Sequence, residues 1–186
     1  IHISKFDKRD AISDNYIFDV FKDVNGSVWI ATFTGLNRFE NNLAKFITKS
    51  IYENGSLLSI NYFLEMNDGN VLIGTESGIK VFNTNDESIR DFKTFFKSKE
   101  NYFESLYIYS FYLDTDSCLW VGTRDSGLYI YDIKSDKVID VSEELDIKKL
   151  NHAVVREMVC DEFGNFWVAT NVGLCCINLK DNSYVF

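Results

Sequence analysis

No stretch of the 186-residue chain reaches the roughly 20 consecutive apolar residues of a membrane-spanning helix. Any membrane contact is therefore expected only through a span absent from this chain. The opening IHISKFDKRD has neither the basic n-region nor the apolar h-region of an export signal. Histidine is scarce, with only His2 and His152, and the four cysteines (Cys118, Cys160, Cys175 and Cys176) form no CxxC pair. Without Cys/His ligand spacing, neither a metal site nor a cofactor is expected. Positive charge is also short, with 19 Lys and Arg against 28 Asp and Glu and a net charge of −9. No dense basic stripe exists to neutralise phosphates, so nucleic acid is excluded as a partner and anionic membranes are disfavoured.

What is present is apolar and aromatic. Hydrophobic residues make up 46% of the chain and aromatics 16%, a globular rather than a disordered composition. A chain of this length buries about 70% of the surface its unfolded form exposes. Cys175 and Cys176 are neighbours in a strand pattern, so their side chains point to opposite faces. The four cysteines read as small buried hydrophobes, with a Cys118–Cys160 disulfide as the alternative.

One unit recurs. NGSVWIATFTGLNRF (25–39) returns as DGNVLIGTESGIKVF (68–82), DSCLWVGTRDSGLYIY (116–131) and FGNFWVATNVGLCCI (163–177). Trp29, Leu72, Trp120 and Trp167 share one position, Thr32, Thr75, Thr123 and Thr170 a second, and Gly35, Gly78, Gly127 and Gly173 a third. The steps between the threonines are 43, 48 and 47 residues, a period that signals blades, solenoid turns or arrays.

Each repeat carries four strand signals. The first is YIFDVFKD (16–23), matched by INYFLEM (60–66), IYSFYLD (108–114) and VREMVCD (155–161). Its apolar positions, Ile17/Val20, Ile60/Phe63, Ile108/Phe111 and Val155/Met158, are spaced by three. That spacing hints at a helix, but caps and helix length are missing, so the segment reads as a strand with a local irregularity. The second strand is the VWIAT-type run, and the third opens at the glycine after Thr. The fourth is weakly patterned: LAKFI (43–47), SIRDF (88–92), KVIDV (137–141) and SYVF (183–186). Weak patterning suits an outer strand exposed on one side.

Four antiparallel strands per repeat give an all-β chain of β-propeller blades. No segment sustains a 3.6-residue period, and a β-helix needs shorter turns. The repeated Trp and Thr are expected to fill the interface between sheets, the Thr hydroxyls bonding turn backbone. The DVNG, NDG, DTDS and DEFG turns lack the ligand series of a calcium loop and read as turn chemistry.

VREMVCDEFGNFWVATNVGL (155–174) and IFDVFKDVNGSVWIATFTGL (17–36) carry the pattern most completely, and it resembles the two-component regulator propeller repeat. Leu72 in place of Trp, Met66 in place of the turn Asp and Ser117 in place of Gly depart from it. The resemblance implies the periplasmic sensor region of a bacterial hybrid two-component protein. It also implies an oligosaccharide ligand, and as partners the remaining propeller and histidine kinase domains of the same protein. The full-length protein would then lie in the inner membrane.

The phase of the repeat places HISKFDKRD (2–10) as the outer strand of a preceding blade. Residues 1–10 would be that strand and a linker, followed by blades over about 11–47, 57–92, 105–141 and 152–186. The whole reads as a segment of a larger propeller. An array cut mid-ring bares an apolar face at each end, so the chain is expected to close its own ring or to pair with another copy.

Long loops at 48–59, 93–106 and 142–153 join successive blades. They are expected on the same face as the turns between second and third strands. Loop variation on a rigid scaffold is where recognition lives, and the aromatic, amide and charged residues there suit sugars. The candidate ligand contacts are Tyr16, Tyr62, Tyr107, Arg124, His152 and Arg156. No catalytic residue is assigned, since no acid/base constellation forms a motif. The leading reading is a non-catalytic sensor; the alternatives are a protein-interaction scaffold or a propeller glycosidase or lyase.

Overall fold

A computed structural model describes residues 11–40, 45–53, 55–66, 69–115, 117–181 and 183–186. The outer strand expected over 2–10 lies outside the described residues, as do the first two residues of the strand expected over 43–47. The chain divides into two compact units, Ile1–Asp91 and Phe92–Phe186.

The first unit holds β1 (Ile17–Lys22), β2 (Val28–Thr32), β3 (Gly35–Glu40) and β4 (Lys45–Lys49) as one four-stranded sheet. A two-stranded hairpin follows, β5 (Tyr52–Glu53) and β6 (Ser56–Leu57). The second sheet comprises β7 (Ile60–Glu65), β8 (Asn70–Thr75), β9 (Gly78–Asn83) and β10 (Ile89–Asp91). The second unit opens with α1 (Phe92–Phe96), then the sheet β11 (Ile108–Leu113), β12 (Cys118–Thr123), β13 (Leu128–Asp132) and β14 (Lys137–Asp140). After α2 (Val141–Glu144) come β15 (Val155–Cys160), β16 (Asn165–Thr170), β17 (Gly173–Asn178) and β18 (Tyr184–Val185). Every four-stranded sheet is antiparallel with its strands in sequence order, the connectivity of a propeller blade. Among the described residues, β4 runs on to Lys49 rather than ending at 47, and only Tyr184–Val185 are in strand in the last sheet.

The three-residue spacing on each first strand has a specific cause. Ile17 opposes Thr32 and Asp19 opposes Ala31, so residue 18 is extra. The same register break separates Ile60 from Tyr62, Ile108 from Ser110 and Val155 from Glu157. One inserted residue flips the alternation, so positions i and i+3 share a face. Ile60 and Phe63, Ile108 and Phe111, and Val155 and Met158 are accordingly all buried. Phe18, Asn61, Tyr109 and Arg156 are the bulge residues.

Each unit has its own core between its two sheets. In the first, Trp29, Ala31 and Leu36 pack with Ile60, Phe63 and Phe82, and Trp29 meets Phe82 edge-on at 4.8 Å. In the second, Trp120 and Leu128 pack with Val155, Met158 and Phe166, the Trp120 and Phe166 rings lying 4.2 Å apart. Gly122 is required there. A Cβ on it would stand 2.6 Å from Val155 Cγ1 and 2.2 Å from Ser110 Oγ, so only a bare backbone lets the sheets approach this closely.

The four cysteines are free thiols, so the Cys118–Cys160 disulfide is not formed. Cys175 is buried, which pushes its thiol up to about 11, while its neighbour Cys176 is half-buried on the other face. Leu36 and Leu128 are fully buried, whereas Leu174 at the same repeat position is 55% exposed, and Val159 in the same sheet is 56% exposed. On β1 of the first unit, Ile17 and Val20 are likewise exposed, where their counterparts in the other sheets are buried.

Candidate ligand-recognition rim

The repeated residues hold the scaffold. Each Thr hydroxyl donates to the carbonyl of the repeated glycine: Thr32 to Gly35 at 2.9 Å, Thr75 to Gly78 at 2.9 Å, Thr123 to Gly127 at 2.8 Å and Thr170 to Gly173 at 2.7 Å. The same oxygens accept turn N–H groups from Ser77, Ser126 and Val172. Buried polar groups must be satisfied, and these tight turns satisfy theirs internally. They are structural in all four repeats, while the residues between them differ from repeat to repeat.

The turn after β12 carries Arg124, Asp125 and Ser126, and it is anchored on two sides. Arg124 N–H donates to the Tyr107 carbonyl at 2.9 Å, and Gly127 N–H donates to the Ala153 carbonyl at 3.2 Å. Gly127 has φ +76, and a Cβ there would sit 2.5 Å from the Leu150 carbonyl oxygen. Glycine is therefore what lets the 142–153 loop close over the turn. That loop is itself ordered by packing. Asp140 caps α2 through the Ser142 N–H at 2.8 Å, and Ile147, Leu150 and Ala153 are buried.

This arrangement brings together three of the six residues singled out from the sequence. The Arg124 guanidinium lies over the Tyr107 ring, 5.0 Å from its centroid. His152, at φ +60, brings Nδ1 to 3.2 Å from the Asp125 carbonyl. Arg124 and His152 are exposed and Tyr107 is half-buried. Tyr109 joins them, edge-on to Tyr107 at 5.2 Å. It is the β11 bulge residue, and the three-residue apolar spacing is the signal that would have singled it out. Arg156 holds the equivalent bulge position on β15 and is exposed. Two phenol rings, a guanidinium and an imidazole on one rim offer apolar ring surface and hydrogen-bonding groups together.

Tyr16 and Tyr62 belong to the first unit. Tyr16 is 72% exposed, with its carbonyl accepting the Phe33 N–H at 3.2 Å, the same placement that Tyr107 has relative to Arg124. Tyr62 is half-buried on β7, opposite Gly74.

In the 93–106 loop Phe103 is buried while Phe95, Phe96 and Tyr102 are half-buried, and Phe92 at the start of α1 joins the same cluster. Phe92 and Phe103 are 1% exposed and pack edge-on against Tyr131 at 5.0 and 6.2 Å. Asp136 ties the loop down, accepting from Ser98 Oγ at 2.7 Å, Lys99 N–H at 2.9 Å and Tyr131 OH at 3.1 Å. Burial and that carboxylate push the Tyr131 phenol up to about 12. Burying a Phe side chain is worth roughly 1.5–3 kcal/mol, so these rings serve a satellite core and are not offered to ligand.

Among the described residues no group of three His, Cys, Asp or Glu side chains is placed to hold a metal ion, and no helix is long and apolar enough to cross a membrane.

Residues 11–34 and 102–125 match the family model described as two component regulator propeller. The second segment contains Tyr107, Tyr109 and Arg124. No curated protein matches the chain in sequence. Among solved structures, the chain is similar to the extracellular domain of a putative hybrid two component system from B. thetaiotaomicron. The TM-score is 0.70 at 21% identity, over 93% of this chain and 23% of that one. It is similar to the extracellular domain of a putative one component system from the same organism, with TM-score 0.69 and 24% identity over 90% of this chain and 22% of the other. A gluconolactonase from Xanthomonas campestris shares the fold at TM-score 0.63 and 9% identity, over 92% of this chain and 61% of that protein. These likenesses show β-propeller architecture, and the chain spans less than a quarter of the length of the two extracellular domains.

Proposed function

We infer, from a chain that carries two-component regulator propeller repeats, that it is a non-catalytic segment of a signalling sensor and takes an oligosaccharide on the rim formed by Tyr107, Tyr109, Arg124 and His152. One observation carries the reading. Arg124 stacks over Tyr107 inside a segment that matches the family model, on a turn whose own hydrogen bonds are already complete. A side chain so held meets ligand without first paying for its own ordering. The segment acts outside the inner membrane, and the rest of the same protein, further blades and a histidine kinase, receives the signal. The exposed faces at Ile17/Val20 and Val159/Leu174 are where those further blades dock.

A catalytic reading is weaker for a chemical reason. The motif's recurrent carboxylates, Asp23, Asp114 and Asp161, each accept from an indole and from turn N–H groups. A general acid or base needs a free lone pair facing substrate. Incubation with a panel of oligosaccharides, scored for binding and for cleavage, tests the reading. Binding without turnover, weakened by Arg124→Ala, is expected; turnover abolished by a single Asp or Glu substitution overturns it.

A further inference from the structure

The two units solve the same packing problem differently. In the first, Arg38 on β3 sits directly opposite Trp29 on β2. Its guanidinium lies over the indole at 5.4 Å and pairs with Glu40 at 2.6 Å and Glu87 at 2.8 Å. In the second, the residue opposite Trp120 is Ile130. No guanidinium covers that indole from the strand. Instead a cavity of about 320 Å3 opens beside it, lined by Trp120, Ile130, Leu145 and Ile177 and by two carboxylates, Asp114 and Glu144. Ligand pockets run upward from roughly 300 Å3, so this one takes a small molecule and not a long chain.

We propose that the Trp120 cavity is a binding site for a small alkylguanidinium compound, whose cation takes the place that Arg38 fills in the first unit. The chemistry is that of the filled counterpart. An indole face attracts a cation through its quadrupole, most strongly when the pair is out of water. Apolar walls from Ile130, Leu145 and Ile177 hold an alkyl stem, as they would hold the stem of an arginine. The counter-charge that Glu40 and Glu87 give Arg38 comes here from Glu144, to which Asp114, already accepting from the Trp120 indole and the Cys118 N–H, adds its own negative charge. Guanidinium is favoured over ammonium because its flat, weakly hydrated face stacks on an aromatic ring. This site is separate from the Tyr107 rim, and neither reading depends on the other.

The test is a titration of the 15N-labelled chain with n-butylguanidinium and its uncharged isostere n-butylurea, read at the Trp120 indole N–H. The expected result is a saturable shift with butylguanidinium, at least roughly tenfold tighter than with butylurea. Ile130→Arg should supply the cation internally, abolish that shift and raise the thermal midpoint. Should Ile130→Arg not fold, Glu144→Gln at an exposed position of α2 serves, with weaker butylguanidinium binding and unchanged butylurea binding expected. Equal binding of the two probes, binding that survives a folded Ile130→Arg or is untouched by Glu144→Gln, or no shift up to about 10 mM overturns the proposal.

Discussion

Trp29 donates its indole N–H to Asp23 Oδ2 at 2.8 Å, six residues back across the hairpin, while Oδ1 of the same carboxylate accepts the Ser27 N–H at 2.8 Å. Trp120 and Asp114 repeat the arrangement at 3.1 Å, and Trp167 and Asp161 at 3.0 Å. The second repeat lacks both members at once, with Met66 for the acid and a fully buried Leu72 for the indole. Either partner alone would leave a polar group stranded in the sheet interface. Asp23→Met should therefore cost about 1–3 kcal/mol by orphaning a buried indole N–H. Adding Trp29→Leu should cost less than the sum of the two single changes, with a coupling of at least about 1 kcal/mol in a urea-denaturation cycle. Additive single costs would contradict the pairing.

In the last repeat Asp161 makes stability depend on acid. Hydrogen bonds from the Trp167 indole, the Asn165 amide and backbone N–H groups hold the Asp161 carboxyl down at about 2, against an ordinary value of 3.8. A depressed folded value means the unfolded chain binds the proton more readily. The contribution is thus complete above about pH 4 and lost as pH falls toward 2. Trp167→Phe should flatten the acid limb of a stability–pH curve over that interval while leaving its neutral plateau sloped as before. An unchanged acid limb would count against the assignment.

Ser117 occupies a left-handed turn at φ +73, where the other three repeats place Gly26, Gly69 and Gly164 at +85, +73 and +85. A side chain is strained there, so Ser117→Gly should stabilise the chain by about 0.5–1 kcal/mol, after the greater entropy of an unfolded glycine is set against the strain relieved. Thermal unfolding measures it, and a lowered midpoint would show that the serine earns its place through contacts.

The bared sheet faces carry a prediction for the isolated chain. Leu174 and Val159 present the residues that bury the equivalent interface elsewhere, and Ile17 and Val20 present its other half. Sedimentation over a dilution series should show association that weakens on dilution, and Val159→Lys with Leu174→Lys should abolish it. A monomer at every concentration would contradict the docking role given to these faces.

The blades were legible because the repeat appears four times, so Thr32 and its counterparts could be aligned without any homologue. The bulge was legible as an anomaly: a spacing of three in a strand demands an extra residue, though only the register of Ile17 against Thr32 locates it. Arg124 was legible as variation on a constant turn, and Tyr107 as the residue leading into an inner strand, though only the structure shows the guanidinium over the ring. What sequence could not supply was the fate of the loop aromatics. Phe103 reads as part of a recognition loop until Tyr131, more than 25 residues along the chain, claims it for packing. The cavity beside Trp120 was equally hidden. Ile130 reads as an ordinary strand residue until it is compared, in register, with Arg38.

The central claim is that recognition sits on the rim around Tyr107. Backbone amide shifts of the chain, titrated with an oligosaccharide that the binding panel identifies, test it most directly. The account predicts the largest changes at Tyr107, Tyr109, Arg124, Asp125 and His152, with the Tyr131–Phe103 cluster unmoved. Changes confined to the outer strands β14 and β18, or a rim that stays silent while ligand saturates, would contradict it.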